Sequence, residues 1–292
     1  MEQLKIIDAH HHFWDLSHNR YPWLQDEPLI PFRYGDYGPI RRNYLPVDFR
    51  RDNASFKLIG SIHIEAESDP ENPTAETAWL GMIREESGLP SACVAQAWLH
   101  HDNIEEVLAA QAAFPFVRAI RHKPPEPDGF MTSEAWRRGY ALLSKYNLSF
   151  DLQTPWTRLA EAVDLARAFP ETQVILNHTG LPSDRSAAGL DGWRKGMRLA
   201  ATLPNFAVKI SGIGMPGLPW TVDLNRGVVL DTIDIFGVDR CMFASNFPVD
   251  SIIADYTTIF GGFMEITAGF THSEREKMFC DNAVRFYRLN LV

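Results

Sequence analysis

The sequence predicts an α/β chain, a (β/α)8 barrel of the TIM type forming a single domain over residues 1–292. Three observations predict it. Eight short β-rich runs alternate with helix-like stretches, the pattern of a parallel sheet with crossover helices. Most runs are continuously apolar at their centres, as in ACVAQAWL and RCMFAS, so both faces of each strand are covered. A length of 292 residues, 45% of them apolar, is enough for a closed barrel with a full core.

The elements follow in order. Leu4–His10 is the first strand. Lys57–Glu65 leads to a helix over Thr74–Glu86, which opens after Pro73 and closes before Gly88. Ala92–Leu99 precedes a helix over Asn103–Ala113 with Asp102 as its cap. Val117–Lys123 precedes the helix that Ser133 starts, where Glu134 suits the first turn. Leu148–Gln153 pairs with a helix over Thr157–Phe169, Gln173–His178 with Asp191–Thr202, and Phe206–Ser211 with Val222–Phe236. Arg240–Ser245 completes the sheet, and helices over Ser251–Thr267 and Ser273–Leu289 complete the chain. The first connection, about residues 11–56, holds no clear helix and is rich in Pro, Arg, Tyr and Trp. A loop of that length is usually functional, and this one leaves a strand end, so residues 13–45 should cover part of the catalytic face.

Barrel enzymes carry their chemistry at the C-terminal ends of the strands. Here strand one ends in His10-His11-His12, two in His63-Ile64-Glu65 and four in Arg121-His122-Lys123. Five ends in Asp151-Leu152-Gln153, six in Asn177-His178, seven in Lys209-Ile210-Ser211 and eight in Ser245-Asn246. Burying such groups singly is costly, so a shared polar pocket is expected. His10 and His12, two apart on an extended chain, share a face, and His11 points away. With His178 they can move a proton, stabilise an oxyanion or share a divalent metal. Arg121 suits a substrate carboxylate rather than a salt bridge to Glu65 or Asp151. His122 and Asp151 are grouped with it as substrate contacts. Lys209 either binds a substrate oxygen or pairs with Asp151. His63 reads as a satisfied core histidine. Trp14, Trp23, Trp156 and Trp220 fall in or near strand-to-helix loops, and Trp14 is the stacking candidate beside the histidines. Arg33, Arg41 and Arg42 are solvated loop charges or help to collect an anion.

The runs IIDAHHHFWD and RYPWL, HIEAE (63–67), AIRHK (119–123), LSFDLQ (148–153), ILNHTGLP (175–182), VKISGI (208–213) and MFASNFPVD (242–250) cover essentially the whole chain. In that order they resemble the lactonases of the amidohydrolase superfamily, of the amidohydrolase-2 type. That group contains sugar-acid lactonases and 2-pyrone-4,6-dicarboxylate lactonase. The resemblance implies a hydrolase that opens the lactone of a sugar acid or small carboxylic acid, in carbohydrate or aromatic acid catabolism. One departure stands out. The family ends strand eight with an aspartate, its general base and a metal ligand where metal is bound. Here the residue is Asn246, which takes no proton near neutral pH and is a weaker, neutral ligand. Glu65 and Asp250 are the carboxylates that could replace it, although Asp250 reads better as the cap of the next helix.

The expected catalytic set is His10, His12, His178, Asn246 and Glu65. No metal is obligatory, and a zinc ion, if bound, would sit on His10, His12 and His178. The competing readings are a metal-dependent decarboxylase on the same scaffold and a non-catalytic binding barrel. A net charge of −9, a pI of about 5.6 and no basic block argue against nucleic acid or an anionic membrane as partner. No stretch reaches transmembrane length. Cys93, Cys241 and Cys280 are too far apart for a disulfide framework or a Cys-rich zinc site. A cytoplasmic protein with a small lactone or carboxylate as substrate is expected, and assembly as a homodimer is compatible with the sequence.

Overall fold

The computed structural model describes residues 3–124 and 129–290, so residues 1, 2, 125–128, 291 and 292 of the expected domain lie outside the described residues. Eight strands form one sheet in chain order: β1 (Lys5–His11), β2 (Lys57–Ile64), β3 (Ala92–Gln96), β4 (Val117–Arg121), β5 (Ser149–Leu152), β6 (Val174–Leu176), β7 (Phe206–Ile210) and β8 (Cys241–Phe243). Neighbouring strands are parallel throughout. The chain beyond β8 returns to β1. His12 N–H donates to the Phe247 carbonyl at 2.7 Å, and Asn246 N–H donates to the His10 carbonyl at 2.8 Å. This is the expected (β/α)8 barrel. Its closing contacts lie at the C-terminal rim, where they tie the strand-one histidines to the turn after β8.

Two apolar layers follow from the continuously apolar strands. Ile7, Ala9, Ile62, Ile64, Val94, Ala119, Ile175, Ala207 and Met242 form the inner one, joined by Phe286 and Tyr287. The larger cluster, with Ile6, Ile120, Phe150 and Phe243, packs the sheet against the helices. Fully burying one such side chain is worth about 1.5–3 kcal/mol.

Helix ends follow local chemistry. Ala75–Ser87 stops at Gly88 with φ 77°, the left-handed geometry that glycine accepts. Glu134–Lys145 starts at Ser133, whose hydroxyl accepts from Trp136 N–H. Five readings are corrected. The first connection does hold a helix, Pro46–Asp52, with Pro46 in its first turn and the Asp48 carboxylate accepting from Leu45 N–H. Asp102 is no cap: the helix Ile104–Ala112 follows Asn103, and Asp102 pairs with Arg138. The helix expected from Asp191 begins at Ala187, capped by Ser186. The helix expected from Ser251 begins at Tyr256, and Asp255, not Asp250, caps it. The last expected helix is broken into His272–Glu276 and Asn282–Phe286 by a π-turn at Lys277–Asp281. Among the described residues no helix is long and apolar enough to cross a membrane.

Candidate active site

A cavity of about 240 Å3 opens at the C-terminal rim, lined by His12, Arg121, His178 and Asn246. Trp23, Phe32 and Arg33 of the first connection roof it, as that loop's origin suggests. Glu67, paired with Lys123, and Gln153 complete the polar wall. The volume is at the small end for ligand sites and suits one ring.

Each side chain is set by its strand end. His12 Nδ1 lies 2.7 Å from the Ile64 carbonyl oxygen. A carbonyl only accepts, so Nδ1 carries the proton and Nε2 keeps a lone pair for the cavity. His178 Nδ1 is 2.9 Å from the Ser211 hydroxyl. His10 lies beneath both rings, its centroid 5.1 Å from His12 and 4.5 Å from His178, and neither of its buried nitrogens has a protein partner. His10 and His12 share a face, and the β1–β2 register slip between Asp8 and His11 brings that face into line with the inner layer. Without that slip His10 would follow Ile6 and Asp8, away from the inner layer of Ile7 and Ala9. His11 faces away, with Nε2 2.9 Å from Ser61 Oγ and its ring stacked on Phe49.

Three strand ends at the rim take positive φ: His178 at 54°, Gly212 at 58° and Asn246 at 58°. A Cβ on Gly212 would stand 2.5 Å from His178 Nδ1, so glycine is required both by φ and by the imidazole. For the two non-glycine residues this backbone costs of order 1 kcal/mol each, a strain typical of functional positions. Asn246 donates its amide N–H to Asp250 Oδ1 at 2.7 Å, which turns its carbonyl oxygen toward the cavity. The Tyr34 hydroxyl donates to the same oxygen at 3.0 Å, and Arg33 donates to Tyr34 at 2.7 Å. The roof and the strand-eight turn are thus one network.

Several expected site residues lie elsewhere. Glu65 is buried against Arg121, Oε1 to Nε at 2.5 Å, and does not line the cavity. Arg121 makes that salt bridge and still reaches the cavity, where its Nη1 donates to Gln153 at 2.9 Å. Lys209 and Asp151 form a fully buried ion pair, with the Tyr287 hydroxyl donating to Asp151 at 2.9 Å; neither opens into the cavity. His122 is stacked on Trp136 at 4.3 Å and accepts from Leu99 N–H through Nδ1, outside the cavity. Trp14 is buried behind His12, its indole N–H on the Arg42 carbonyl. His63 is indeed in the core, with Nδ1 accepting from Phe13 N–H at 3.0 Å. The sequence assigns no role to Lys123 and Gln153, yet both line the cavity. They sit two residues beyond Arg121 and Asp151, and that spacing was their signal.

The rim carries paired charges, Arg121 with Glu65 and Lys123 with Glu67. Burial holds His10, His12 and His178 well below the usual imidazole range. Arg121 adds to this at all three, and Arg33, Lys209 and Lys123 add to it at His178. All three rings are neutral at pH 7. This bears on zinc. The lone pair of His12 and the free nitrogens of His10 are donors of a suitable type. No carboxylate joins them, however, and no three His, Cys, Asp or Glu side chains among the described residues form a metal-holding group. Neutral imidazole is the ligating form, but the set lacks the anionic ligand and the three-donor convergence that a tightly held dication needs.

The chain is 40% identical to the uncharacterised protein y4mH of Sinorhizobium fredii, over 99% of this chain and 100% of that one. It is 26% identical to an L-fucono-1,5-lactonase of Burkholderia multivorans, over 97% of this chain and 96% of the relative. An amidohydrolase from Burkholderia multivorans, crystallised with zinc, shares the fold with a TM-score of 0.82 at 24% identity, over 98% of this chain and 99% of the other. Residues 7–289 match the amidohydrolase family. This barrel, with its histidine-lined rim, belongs to the amidohydrolase family, in the group that includes lactonases.

Proposed function

We propose that the protein is a hydrolase that opens the lactone of a sugar acid or small carboxylic acid, with no metal in the reaction. The observation that carries this reading is the fixed lone pair of His12 Nε2 in the same small cavity as the Arg121 guanidinium. The Asn246 carbonyl oxygen and His12 Nε2 hold a water above the lactone carbonyl. As its oxygen bonds to that carbon, one proton passes to Nε2. The tetrahedral oxyanion faces the Arg121 guanidinium and the Lys123 ammonium, whose N–H donors stabilise developing charge although each group is also paired with a carboxylate, Glu65 and Glu67 respectively. Collapse breaks the ring C–O bond, and the leaving alkoxide takes the proton back from His12, giving the hydroxy acid. A neutral imidazole is required at the start, and burial with the surrounding cations keeps it so. A lactonase among the relatives supports the reaction type.

The test is proton release from a panel of sugar-acid and dicarboxylate lactones by chelator-treated protein. His12→Gln should lower kcat by about 100- to 10,000-fold, the usual worth of a general base. An unchanged kcat would remove His12 from the mechanism.

A further inference from the structure

A second cavity, about 280 Å3, adjoins the first, and the two share Arg33 as a wall. The Arg33 guanidinium donates to the Gly212 carbonyl. Gly212 lines the second cavity while its Cα faces the His178 ring. The second space therefore begins where the histidine cavity ends. Its other walls are largely apolar: Pro155, Leu181, Ile213 and Met215. They offer little to the hydroxyls of a polyol. The exception is Arg185. It donates to the Ile213 carbonyl at 2.9 Å, and its Nε–H, shut off from solvent, has no acceptor. Among the described residues the hydrogen-bond partners of Arg33 and Arg185 are carbonyls, the Tyr34 hydroxyl and the Asn225 amide; the Asp250 carboxylate lies within electrostatic reach of Arg33, and Arg185 has no carboxylate partner. A guanidinium on an apolar wall without a counter-ion is an unmet demand for an anion, and its fork geometry suits a carboxylate.

We propose that this cavity is the subsite for an apolar aryl or alkyl arm ending in a carboxylate, carried by the lactone whose ring sits among the histidines. The substrate is then an aryl- or alkyl-substituted lactone acid, not a polyhydroxylated sugar lactone. The turnover part of this inference rests on the hydrolase reading above; the binding part rests on the cavity alone.

Two arms of one experiment separate these parts. In the first, calorimetric titration compares phenylacetate, benzyl alcohol and gluconate. Phenylacetate should bind at least tenfold more tightly than the other two. Arg185→Gln should weaken it at least tenfold, with Arg185→Lys in between. Equal binding of gluconate, or no loss in a folded Arg185→Gln protein, overturns the subsite. Ser183→Phe, on the exposed rim of the same cavity, is the second variant. It should block phenylacetate by filling the space, and retained binding overturns the proposal. In the second arm, kcat/KM is measured for a δ-lactone bearing a phenylalkanoate arm and for its neutral methyl ester. The ratio should favour the acid, and Arg185→Gln should cut that ratio at least tenfold. Turnover of both with an unchanged ratio overturns the subsite. Phenylacetate binding with no lactone turned over contradicts the hydrolase reading and supports the subsite.

Discussion

Asp250 lies wholly buried in the turn after β8, where Asn246 and Tyr34 both donate to its carboxylate. Burial pushes its pKa from 3.8 up to about 6, and Arg33 and the two hydrogen bonds offset only part of that. That rise from 3.8 to about 6 makes its ionisation in the fold cost ~3 kcal/mol relative to the unfolded chain. Because the folded pKa is raised, the stabilising contribution is full below about pH 3.8 and is lost as pH rises through about 6. Asp250→Asn cannot ionise. Denaturant unfolding of both proteins at pH 4 and pH 8 should show the wild type losing about 2–3 kcal/mol more than the variant over that interval. Asp8, also raised to about 6 by burial, titrates in both proteins and cancels. Equal pH dependence in the two would refute the reasoning, since it would mean that Asp250 does not ionise at a buried site.

The remaining predictions concern the same rim. Lys209→Met strands the Asp151 carboxylate inside the barrel and should cost about 3–5 kcal/mol in denaturant unfolding, most of it regained in the double variant Lys209→Met/Asp151→Leu. Gly212→Ala places a methyl 2.5 Å from His178 Nδ1 at a positive φ, so the His178–Ser211 contact should break and kcat should fall about tenfold or more. Asn246→Asp puts a carboxylate beside Asp250 and near His10 and His12; zinc affinity, read by competition with a chromophoric chelator, should rise about tenfold or more.

Much of this was legible in the residues. Continuously apolar runs place all eight strands, because a strand covered on both sides has no polar face to disguise it. Strand ends were less legible, since polar groups that join the rim and those that continue the strand look alike. Alternation would have rejected His122: Arg121 and Lys123 share the inner face, which sends His122 out against Trp136. Alternation between His10 and His12 places the pair on one face, but counted from Ile7 and Ala9 it would send His10 outward, because the slip in β1 leaves no mark in the sequence. The helix Pro46–Asp52 escaped notice because seven residues carry too little periodicity, with Pro46 and Phe49 alone buried. The Asp250–Asn246–Tyr34 network was out of reach for another reason: Tyr34 and Asp250 are 216 residues apart, and only barrel closure brings them together.

The proposed chemistry at the rim is lactone opening by water through a neutral histidine and without a metal. The most direct measurement is lactone opening by chelator-treated protein in 18O-labelled water, followed by mass spectrometry. The account predicts sustained turnover, one 18O in the product carboxylate, and loss of both in His12→Gln. Turnover that stops on chelation and returns with one equivalent of zinc would contradict it.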